Sequence, residues 1–255
     1  MRSPLMALFL GFCCPAGSSQ ATTPQILWRQ LARPDESVVI RGNAFIQENA
    51  ARPWSVERAA NLTCDAFRFE VRSGDQWPED SNSGENKERS EFDGYKKRWG
   101  DKTSVWGAYS FFVEPGAAYH SDWTAISQMH GSEVRPFFVQ FRGEALVIYT
   151  ERRETTRVVD DIRYSGTLQR GVWHRVVFHL IQSSSDDGIF DFWLDGAQIV
   201  SFKGAIGSDG NKAYWKFGIY RGYGPITAPL AIEFANMEVG TRELSGRVEN
   251  PLPIE

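Results

Sequence analysis

Short stretches that alternate apolar and polar residues recur along most of the chain, and clusters of Gly, Pro, Asp and Ser separate them. This two-residue period predicts β-strands with one buried face, whereas no long stretch has a convincing helical period. The predicted strands cover residues 66–72, 106–113, 125–130, 137–141, 145–150, 172–181, 188–194 and 215–220. Many short strands at this spacing are typical of a β-sandwich or jelly roll, so we expect an all-β fold.

The connections between these strands carry their own signals. The dipeptide Asp195-Gly196 separates apolar runs at 190–194 and 198–202, which predicts a tight hairpin. We also expect residues 73–88 to form a long functional loop and residues 152–171 to form a solvated surface loop. Residues 26–31 have a weak helical signal, and residues 243–255 are expected to form an extended terminal arm.

The first residues have the pattern of an export signal. Arg2 supplies a positive charge, residues 5–14 are apolar, and Ala21 is a small residue suited to a cleavage site. The apolar run is too short to span a bilayer. We therefore expect a signal peptide at residues 1–21, a single domain at residues 22–255, and a secreted or periplasmic protein without membrane association.

Charge and cysteine content narrow the function classes. The net charge of −4 becomes −5 when Arg2 leaves with the predicted signal peptide. This charge argues against a general nucleic-acid binder, and a polyanion would need a local basic cleft. Only Cys64 remains in the mature chain, which excludes an internal disulfide and a cysteine-based metal site. The nine Trp residues fit sugar stacking and an aromatic core equally well.

Polar residues share one face in two of the strand-like segments. In KERSEFD, the period of two places Arg89, Glu91 and Asp93 on the same face. In ISQMH, it places Gln128 and His130 together. Each segment therefore presents charged or hydrogen-bonding groups to one side of a predicted sheet.

The segment YWKFGIY is the most informative of all. Its apolar face carries Trp215, Phe217 and Ile219, and its other face carries Tyr214, Lys216, Gly218 and Tyr220. The second set is poor core material, so we expect it to line a groove for an extended chain. We expect Gly218 to leave room for a ligand to approach the sheet closely.

Together, ERSEF, QMH and YWKFGIY resemble the motif set of jelly-roll polysaccharide lyases. Alginate lyases, glucuronan lyases and heparin lyase type I are similar to this chain over about residues 67–220, and WHRVV and WLDG are typical of concanavalin-like sandwiches. The resemblance implies a β-jelly roll of two antiparallel sheets with a concave substrate groove. It also implies that residues 22–255 form one polysaccharide lyase domain.

The resemblance implies β-elimination, which removes the C5 proton of a uronate and expels the oxygen at C4. Arg89 and Gln128 suit neutralisation of the uronate carboxylate, because both side chains donate hydrogen bonds. Neutral His130 can accept a proton near physiological pH, and the phenol of Tyr220 can donate one to the leaving oxygen. These four match the catalytic positions of the family. In some related lyases one Tyr does both steps, so whether His130 or Tyr220 is the base stays open.

Five further residues are expected to support binding. Lys216 would lower the pKa of Tyr220 or bind the substrate anion, and Glu91 would orient Arg89 without chemistry of its own. Tyr214 would either stack on sugar or only cover the sheet. Arg221 and Arg135 are candidates for holding further anionic groups of the substrate.

Two other functions occur on the same kind of sandwich, a glycoside hydrolase and a non-catalytic carbohydrate-binding module. A glycoside hydrolase of this kind needs an E-x-D-x-x-E strand, and the segment that begins at Glu91 has Lys96 where the last acid is required. A non-catalytic carbohydrate-binding module would need the groove but no base–acid pair.

The expected partner is an acidic polysaccharide bound by a monomer. The negative net charge favours a non-sulfated polyuronate over a sulfated chain, although the motifs serve both. We expect no cofactor and no catalytic metal, and a structural calcium ion stays open. The sequence contains neither an HExxH zinc motif nor a Gly-rich phosphate loop after a strand.

Overall fold

The computed structural model describes residues 25–82, 87–117, 121–222 and 228–255. Two eight-stranded antiparallel sheets form the domain, which confirms the predicted jelly roll. The expected signal peptide at residues 1–21 lies outside the described residues. Within the described ranges, no helix has the length and apolarity needed to cross a membrane.

We call one sheet the groove sheet, because its outer face carries the main cleft. In spatial order it contains β11 (Arg157–Thr167), β10 (Ala145–Glu154), β9 (Phe137–Arg142), β8 (Thr124–His130), β15 (Tyr214–Gly222), β6 (Lys87–Asp93), β3 (Asn43–Asn49) and β2 (Ser37–Ile40).

The other sheet, the back sheet, lies behind it. In spatial order it contains β1 (Trp28–Gln30), β4 (Val56–Ala59), β5 (Ala66–Val71), β16 (Leu230–Gly240), β7 (Ser104–Val113), β12 (Trp173–Ile181), β13 (Ile189–Leu194) and β14 (Ala197–Lys203). Two short helices, α1 (Pro78–Asn82) and α2 (Gly246–Glu249), lie in the connections.

Aromatic side chains from both sheets fill the space between them. Phe217 of β15 packs against Phe92 of β6 and Phe234 of β16, with ring centroids 5.5 and 5.4 Å apart. Trp215 is buried in the same core and donates from Nε1 to Ser127 Oγ at 2.9 Å. The predicted apolar face of the YWKFGIY strand therefore anchors the groove sheet, and the opposite face of that strand is left for the cleft.

The hairpin prediction is confirmed. Asp195 and Gly196 connect β13 to β14 with φ values of 51° and 83°, and the flanking Leu194 and Ala197 are paired. Positive φ at both central residues defines a type I′ turn, which matches the twist of antiparallel strands.

Several connections differ from the sequence expectation. The stretch 152–171 contains the end of β10 and all of β11, because an edge strand with two polar faces lacks the alternation that marks a strand. Residues 26–31 contain β1 rather than a helix, and the terminal arm contains α2. The expected loop 73–88 contains α1 and the first residues of β6.

Gly218 has a different role from the one expected. It has a φ of 135°, and a Cβ there would lie 2.5 Å from Ser90 O and 2.7 Å from Glu91 Cα. The register of β15 against β8 also shifts between Phe217 and Tyr220. Gly218 therefore lets an irregular β15 lie close to β6, and the space it leaves is taken up by the protein itself.

Replacing this glycine tests that conclusion. Gly218→Ala should lower the free energy of unfolding by about 3 kcal/mol or more, because strained backbone and overpacking add together. Urea denaturation followed by Trp fluorescence measures the change. Gly240→Ala is the matched control, since nothing lies within 4 Å of a Cβ at that strand position. Equal stability of the two variants would contradict the close-approach explanation.

Candidate active site

A cleft with a volume of about 720 Å³ lies on the outer face of the groove sheet. Its floor comes from β3, β6, β8 and β15, and its ends come from the segments around α1, Trp123 and the turn after β8. The three motif strands are neighbours, because β15 pairs with β6 on one side and β8 on the other. This order explains how residues far apart in sequence meet in one cleft.

The register fixes the order of the side chains along the cleft. Lys216 is paired with Asp93 on one side and with Gln128 on the other. We call this row of paired residues the level of Lys216. Tyr214 and His130, which are paired with each other, lie on one side of that level along the strands, and Tyr220 lies on the other side. Of the predicted catalytic residues, Arg89, Gln128, His130 and Tyr220 all line the cleft, together with Lys216 and Tyr214.

Arg89 is bound on all sides by carboxylates. Its Nε and Nη2 donate to Asp80 of α1 at 2.7 and 2.9 Å, and its Nη1 donates to Glu48 at 2.8 Å and Glu91 at 2.9 Å. Its guanidinium carbon lies 3.6 Å from the centre of the Tyr220 ring. The donors needed for a substrate clamp are therefore engaged within the protein, and Arg89 instead supports the Tyr220 ring.

Lys216 is buried among three carboxylates. Its Nζ lies 2.6 Å from Glu48, 3.1 Å from Glu91 and 3.3 Å from Asp93. Burial alone would lower the pKa of Lys216, but Glu91 and Glu48 outweigh that effect and raise it. Lys216 therefore keeps its charge near neutral pH.

Glu48 is a carboxylate of the cleft floor that can be protonated near neutral pH. Burial raises the pKa of Glu48 to about 7, against the opposing effects of Lys216 and Arg89. Its Oε2 accepts from both Arg89 and Lys216, and its Oε1 has no hydrogen bond with the residues that the structure describes. Glu48 also lines the cleft. A proton held by Glu48 near neutral pH would therefore be available to a bound ligand.

Glu91 and Gln128 lie deeper than Glu48. Gln128 Nε2 donates to Glu91 Oε1 at 2.7 Å, and the Glu91 side chain is 1% exposed. Burial would raise the pKa of Glu91, but Lys216 and Arg89 lower it below its usual value. Glu91 is thus an ionised support beneath the cleft, which fits an orienting role and leaves no room for direct contact with substrate.

The His130 side chain is partly buried, and one nitrogen of its imidazole ring makes no hydrogen bond with the described residues. Its Nδ1 is buried without a hydrogen-bond partner among the described residues, and its ring lies 5.3 Å from that of Tyr214. Burial, assisted by the positive charge of Lys216, lowers the pKa of His130 to about 4. His130 is therefore neutral at pH 7 and has a lone pair with which to accept a proton.

Tyr220 is held by aromatic and cationic neighbours. Trp123 meets its ring edge-on at 5.0 Å, and Lys87 Nζ lies 5.4 Å from the ring centre. Burial raises the pKa of Tyr220, although Arg89 and Lys87 act in the opposite direction. The phenol therefore keeps its proton near neutral pH. At the other end of the cleft, burial raises the pKa of Tyr214 to about 12.

Two predicted binding residues are placed differently from the expectation. Arg221 donates to Glu88 at 2.5 Å and to the Ala228 carbonyl at 3.1 Å, and it does not line the cleft. It follows Tyr220 in a strand, so its side chain points to the opposite side of the sheet. Arg135 does line the cleft, but its Nε donates to Glu151 at 2.8 Å. Its charge is therefore already compensated.

Sequence reasoning missed several residues that shape the cleft. Glu48 comes from β3, Asp80 and Trp77 come from α1 and the residue before it, and Trp123 precedes β8. None belongs to a recognisable motif. A weak signal existed for Asp80, because the segment 73–88 was expected to be a functional loop.

No metal site is evident in the described ranges, where no group of three or more His, Cys, Asp or Glu residues has suitable geometry. The carboxylates of the floor instead bind Arg89 and Lys216.

Known proteins with similar structures have the same sandwich. An endo-β-1,4-glucuronan lyase from the fungus Trichoderma reesei matches with a TM-score of 0.59 and 14% identity, over 85% of this chain and 95% of that one. A family 7 alginate lyase, A1-II′, matches with a TM-score of 0.55 and 11% identity, over 71% and 79% of the two chains. The alginate lyase from Klebsiella pneumoniae matches with a TM-score of 0.51 and 11% identity, over 70% and 82%. At these identities the likeness establishes the fold.

The sequence comparison establishes the family. No curated protein sequence matches this chain significantly. The polysaccharide lyase family, however, matches residues 39–242, which is most of the chain. This extent confirms the resemblance carried by the three motif strands, and the protein belongs to the polysaccharide lyase family.

Proposed function

We propose that this enzyme cleaves a uronate-containing acidic polysaccharide by β-elimination and leaves a 4,5-unsaturated uronate at the new end. The observation that carries the proposal is the presence, in one cleft, of a neutral histidine and a protonated tyrosine. His130 and Tyr220 lie on either side of the level formed by Lys216 and Gln128. A uronate ring above that level would meet a proton acceptor on one side and a proton donor on the other.

His130 is the one of the two that is unprotonated near neutral pH, so we assign it as the base. A pKa of about 4 leaves its imidazole neutral over the physiological range, whereas the raised pKa of Tyr220 keeps the phenol protonated. In this assignment, His130 takes the C5 proton, the C4–O bond breaks, and Tyr220 gives its proton to the departing oxygen. Arg89 beneath the Tyr220 ring would stabilise the phenolate that this transfer leaves.

Glu48 offers a way to stabilise the substrate carboxylate. The C5 proton becomes acidic enough to remove only when the adjacent carboxylate is hydrogen-bonded or neutralised. The donors of Arg89 are engaged, but a protonated Glu48 could donate through Oε1 while Oε2 stays bound to Lys216. A buried carboxylic acid that stays neutral to donate a hydrogen bond has precedent in enzyme sites.

The two alternative functions receive less support. In a glycosidase, one carboxylic acid and one carboxylate flank the scissile bond. Here Asp93 and Glu48 lie together beside Lys216, and Glu91 lies beneath the floor. A non-catalytic binding module would have no need for an unprotonated histidine with a buried, unpaired nitrogen in the same cleft as Tyr220, and burial of that nitrogen carries an energetic cost.

We also propose that residues 1–21 are removed on export and that the mature protein acts as a monomer without a metal. Intact-mass measurement after expression in an exporting host should give a chain that begins near residue 22. The same preparation should elute as a monomer and keep its activity after dialysis against EDTA. A secreted protein that retains residues 1–21, an eluted dimer or loss of activity in EDTA would each contradict the corresponding part.

The catalytic assignment predicts the effect of two conservative variants. His130→Asn and Tyr220→Phe should each lower kcat by about 10²- to 10⁴-fold, the usual contribution of a general base or acid. The assay follows the ultraviolet absorbance of the new C4–C5 double bond on a panel of acidic glycans. Tyr95→Phe is the matched control, because Tyr95 is exposed and does not line the cleft. New reducing ends without the absorbance would indicate a hydrolase, and glycan binding without any cleavage would indicate a binding module.

The protonation states predict a bell-shaped pH profile. The value of kcat/KM should rise as the pH passes about 4, because His130 loses the proton that blocks its lone pair. It should fall as the pH passes about 7, because ionised Glu48 repels the substrate carboxylate. In Glu48→Gln the amide still donates but cannot ionise, so the fall near pH 7 should disappear. A fall near pH 7 that persists in this variant would rule out Glu48 as its cause.

A further inference from the structure

Among the residues that the structure describes, acidic side chains outnumber basic ones along the cleft. Its carboxylates are Glu48, Glu79, Asp93, Glu133, Glu151 and Asp160, and its cations are Lys87, Arg89, Arg135 and Lys216. Clefts that collect polyanions usually carry a surplus of the opposite charge, because field lines concentrate in them. This cleft has the reverse balance, in a chain whose net charge is also negative.

The cations at the floor are already compensated. Arg89 binds Asp80, Glu48 and Glu91, and Lys216 shares Glu48 and Glu91 and adds Asp93. Four carboxylates thus surround two cations. With Glu48 protonated, three carboxylates still face the two cations, so the floor has no surplus positive charge, and one substrate carboxylate could be held there only through the hydrogen bond that Glu48 donates.

The end of the cleft beyond His130 is acidic. Asp160 of β11 is paired with Glu151 of β10, so two carboxylates stand on the same side of adjacent strands. Arg135 compensates Glu151, whereas Asp160 has no hydrogen bond or ion pair with residues in the described ranges. Glu133 makes an exposed contact of 3.2 Å with Arg153, which compensates little in water.

Arg98 does not reverse this balance. Its guanidinium lies over the Tyr214 ring at 5.1 Å, and its Nε donates to the Tyr95 carbonyl, but it does not line the cleft. A uronate in the subsite beyond His130 would therefore face Asp160 and Glu133 across the cleft.

The opposite end of the cleft is aromatic. Trp77 lies near Arg89, with the guanidinium 5.4 Å from its ring, and Trp123 contacts the Tyr220 ring. Both indoles line the cleft. Flat aromatic surfaces stack on the apolar faces of sugar rings and need no charge on the sugar.

We propose that the groove selects a glycan in which each uronate is flanked by uncharged sugars, and that it disfavours homopolyuronates and sulfated chains. The proposal rests on the β-elimination function and narrows its substrate class. The cleaved uronate occupies the level of Lys216, an uncharged sugar stacks on the Trp77 and Trp123 end, and an uncharged sugar lies against Asp160 and Glu133.

A comparison of three substrate classes tests the proposal. The substrates are an alternating polymer of glucuronate and neutral sugars, a homopolyuronate, and heparin, each followed through the absorbance of the new double bond. The alternating polymer should have a kcat/KM at least about tenfold above the others, since one close like-charge contact costs that much at low ionic strength. Equal or higher activity on the homopolyuronate would overturn the proposal.

The dependence on salt gives a second, independent readout. Added NaCl should raise kcat/KM on the homopolyuronate relative to the alternating polymer, because salt screens repulsion from the acidic end. A cleft that attracts polyanions would show the opposite sign, with activity on the homopolyuronate falling as salt is added. That result would also overturn the proposal.

Variants that replace a carboxylate by the corresponding amide test which residues cause the substrate preference. Asp160→Asn should reduce the preference for the alternating polymer by about tenfold, and adding Glu133→Gln should reduce it further, because each substitution removes a repelling charge. Asp186→Asn makes the same charge change in the exposed turn between β12 and β13 and should leave the preference unchanged. An equal shift in the Asp186 variant, or no shift in the Asp160 variants, would contradict the assignment.

Failure of the proposed function can be told apart from failure of this inference. If no glycan gives the unsaturated product, the lyase function fails. Affinity electrophoresis of the wild-type protein in gels that contain each glycan then still measures the preference. Retardation by the alternating polymer alone would support a groove that selects glycans with widely spaced charges. Stronger retardation by the homopolyuronate would overturn that inference.

Discussion

The rest of the site depends on a buried ion cluster in which two cations are held by four carboxylates. Arg89 and Lys216 share Glu48 and Glu91, while Asp80 and Asp93 complete the set. Charges removed from water are tolerated only when their partners are close and well placed, and removal of one partner leaves an uncompensated buried charge. The cluster therefore ties β3, β6, β15 and α1 to one another and fixes where the cleft has its floor.

The cluster also decides which protons are available. Burial, with help from the charge of Lys216, lowers the pKa of His130, and burial raises the pKa of Glu48. The surplus of carboxylates means that one of them can hold a proton near neutral pH at little cost. The same few contacts thus give a neutral base, a carboxyl group that can be protonated, and a tyrosine supported from below by Arg89. The contacts that hold the floor together therefore also influence the protonation of groups that line the cleft.

Strand periodicity predicted the faces of the motif strands well, and it could not predict their partners. The two-residue period correctly put Lys216 and Tyr220 on the cleft side of β15 and Trp215 and Phe217 in the core. Glu48, however, lies 41 residues from the arginine that it binds. Nothing in its own strand, NAFIQEN, distinguishes it from a solvated acid, because its environment is built by residues distant in sequence. The edge strand β11 was missed for a related reason, since neither of its faces is consistently buried.

A motif residue takes its role from its partners. An arginine in an R-x-E strand offers a donor fork that suits a substrate carboxylate, and the sequence supports that interpretation of Arg89. In the folded protein Asp80 engages two donors of that fork, and Glu48 and Glu91 engage a third. The guanidinium lies against the Tyr220 ring, and in the proposed reaction the substrate carboxylate is neutralised by a group that can change its own protonation, Glu48. Under the proposed function, such a cleft would hold one substrate carboxylate at its centre, and the density of charge along a glycan would then decide which chains bind.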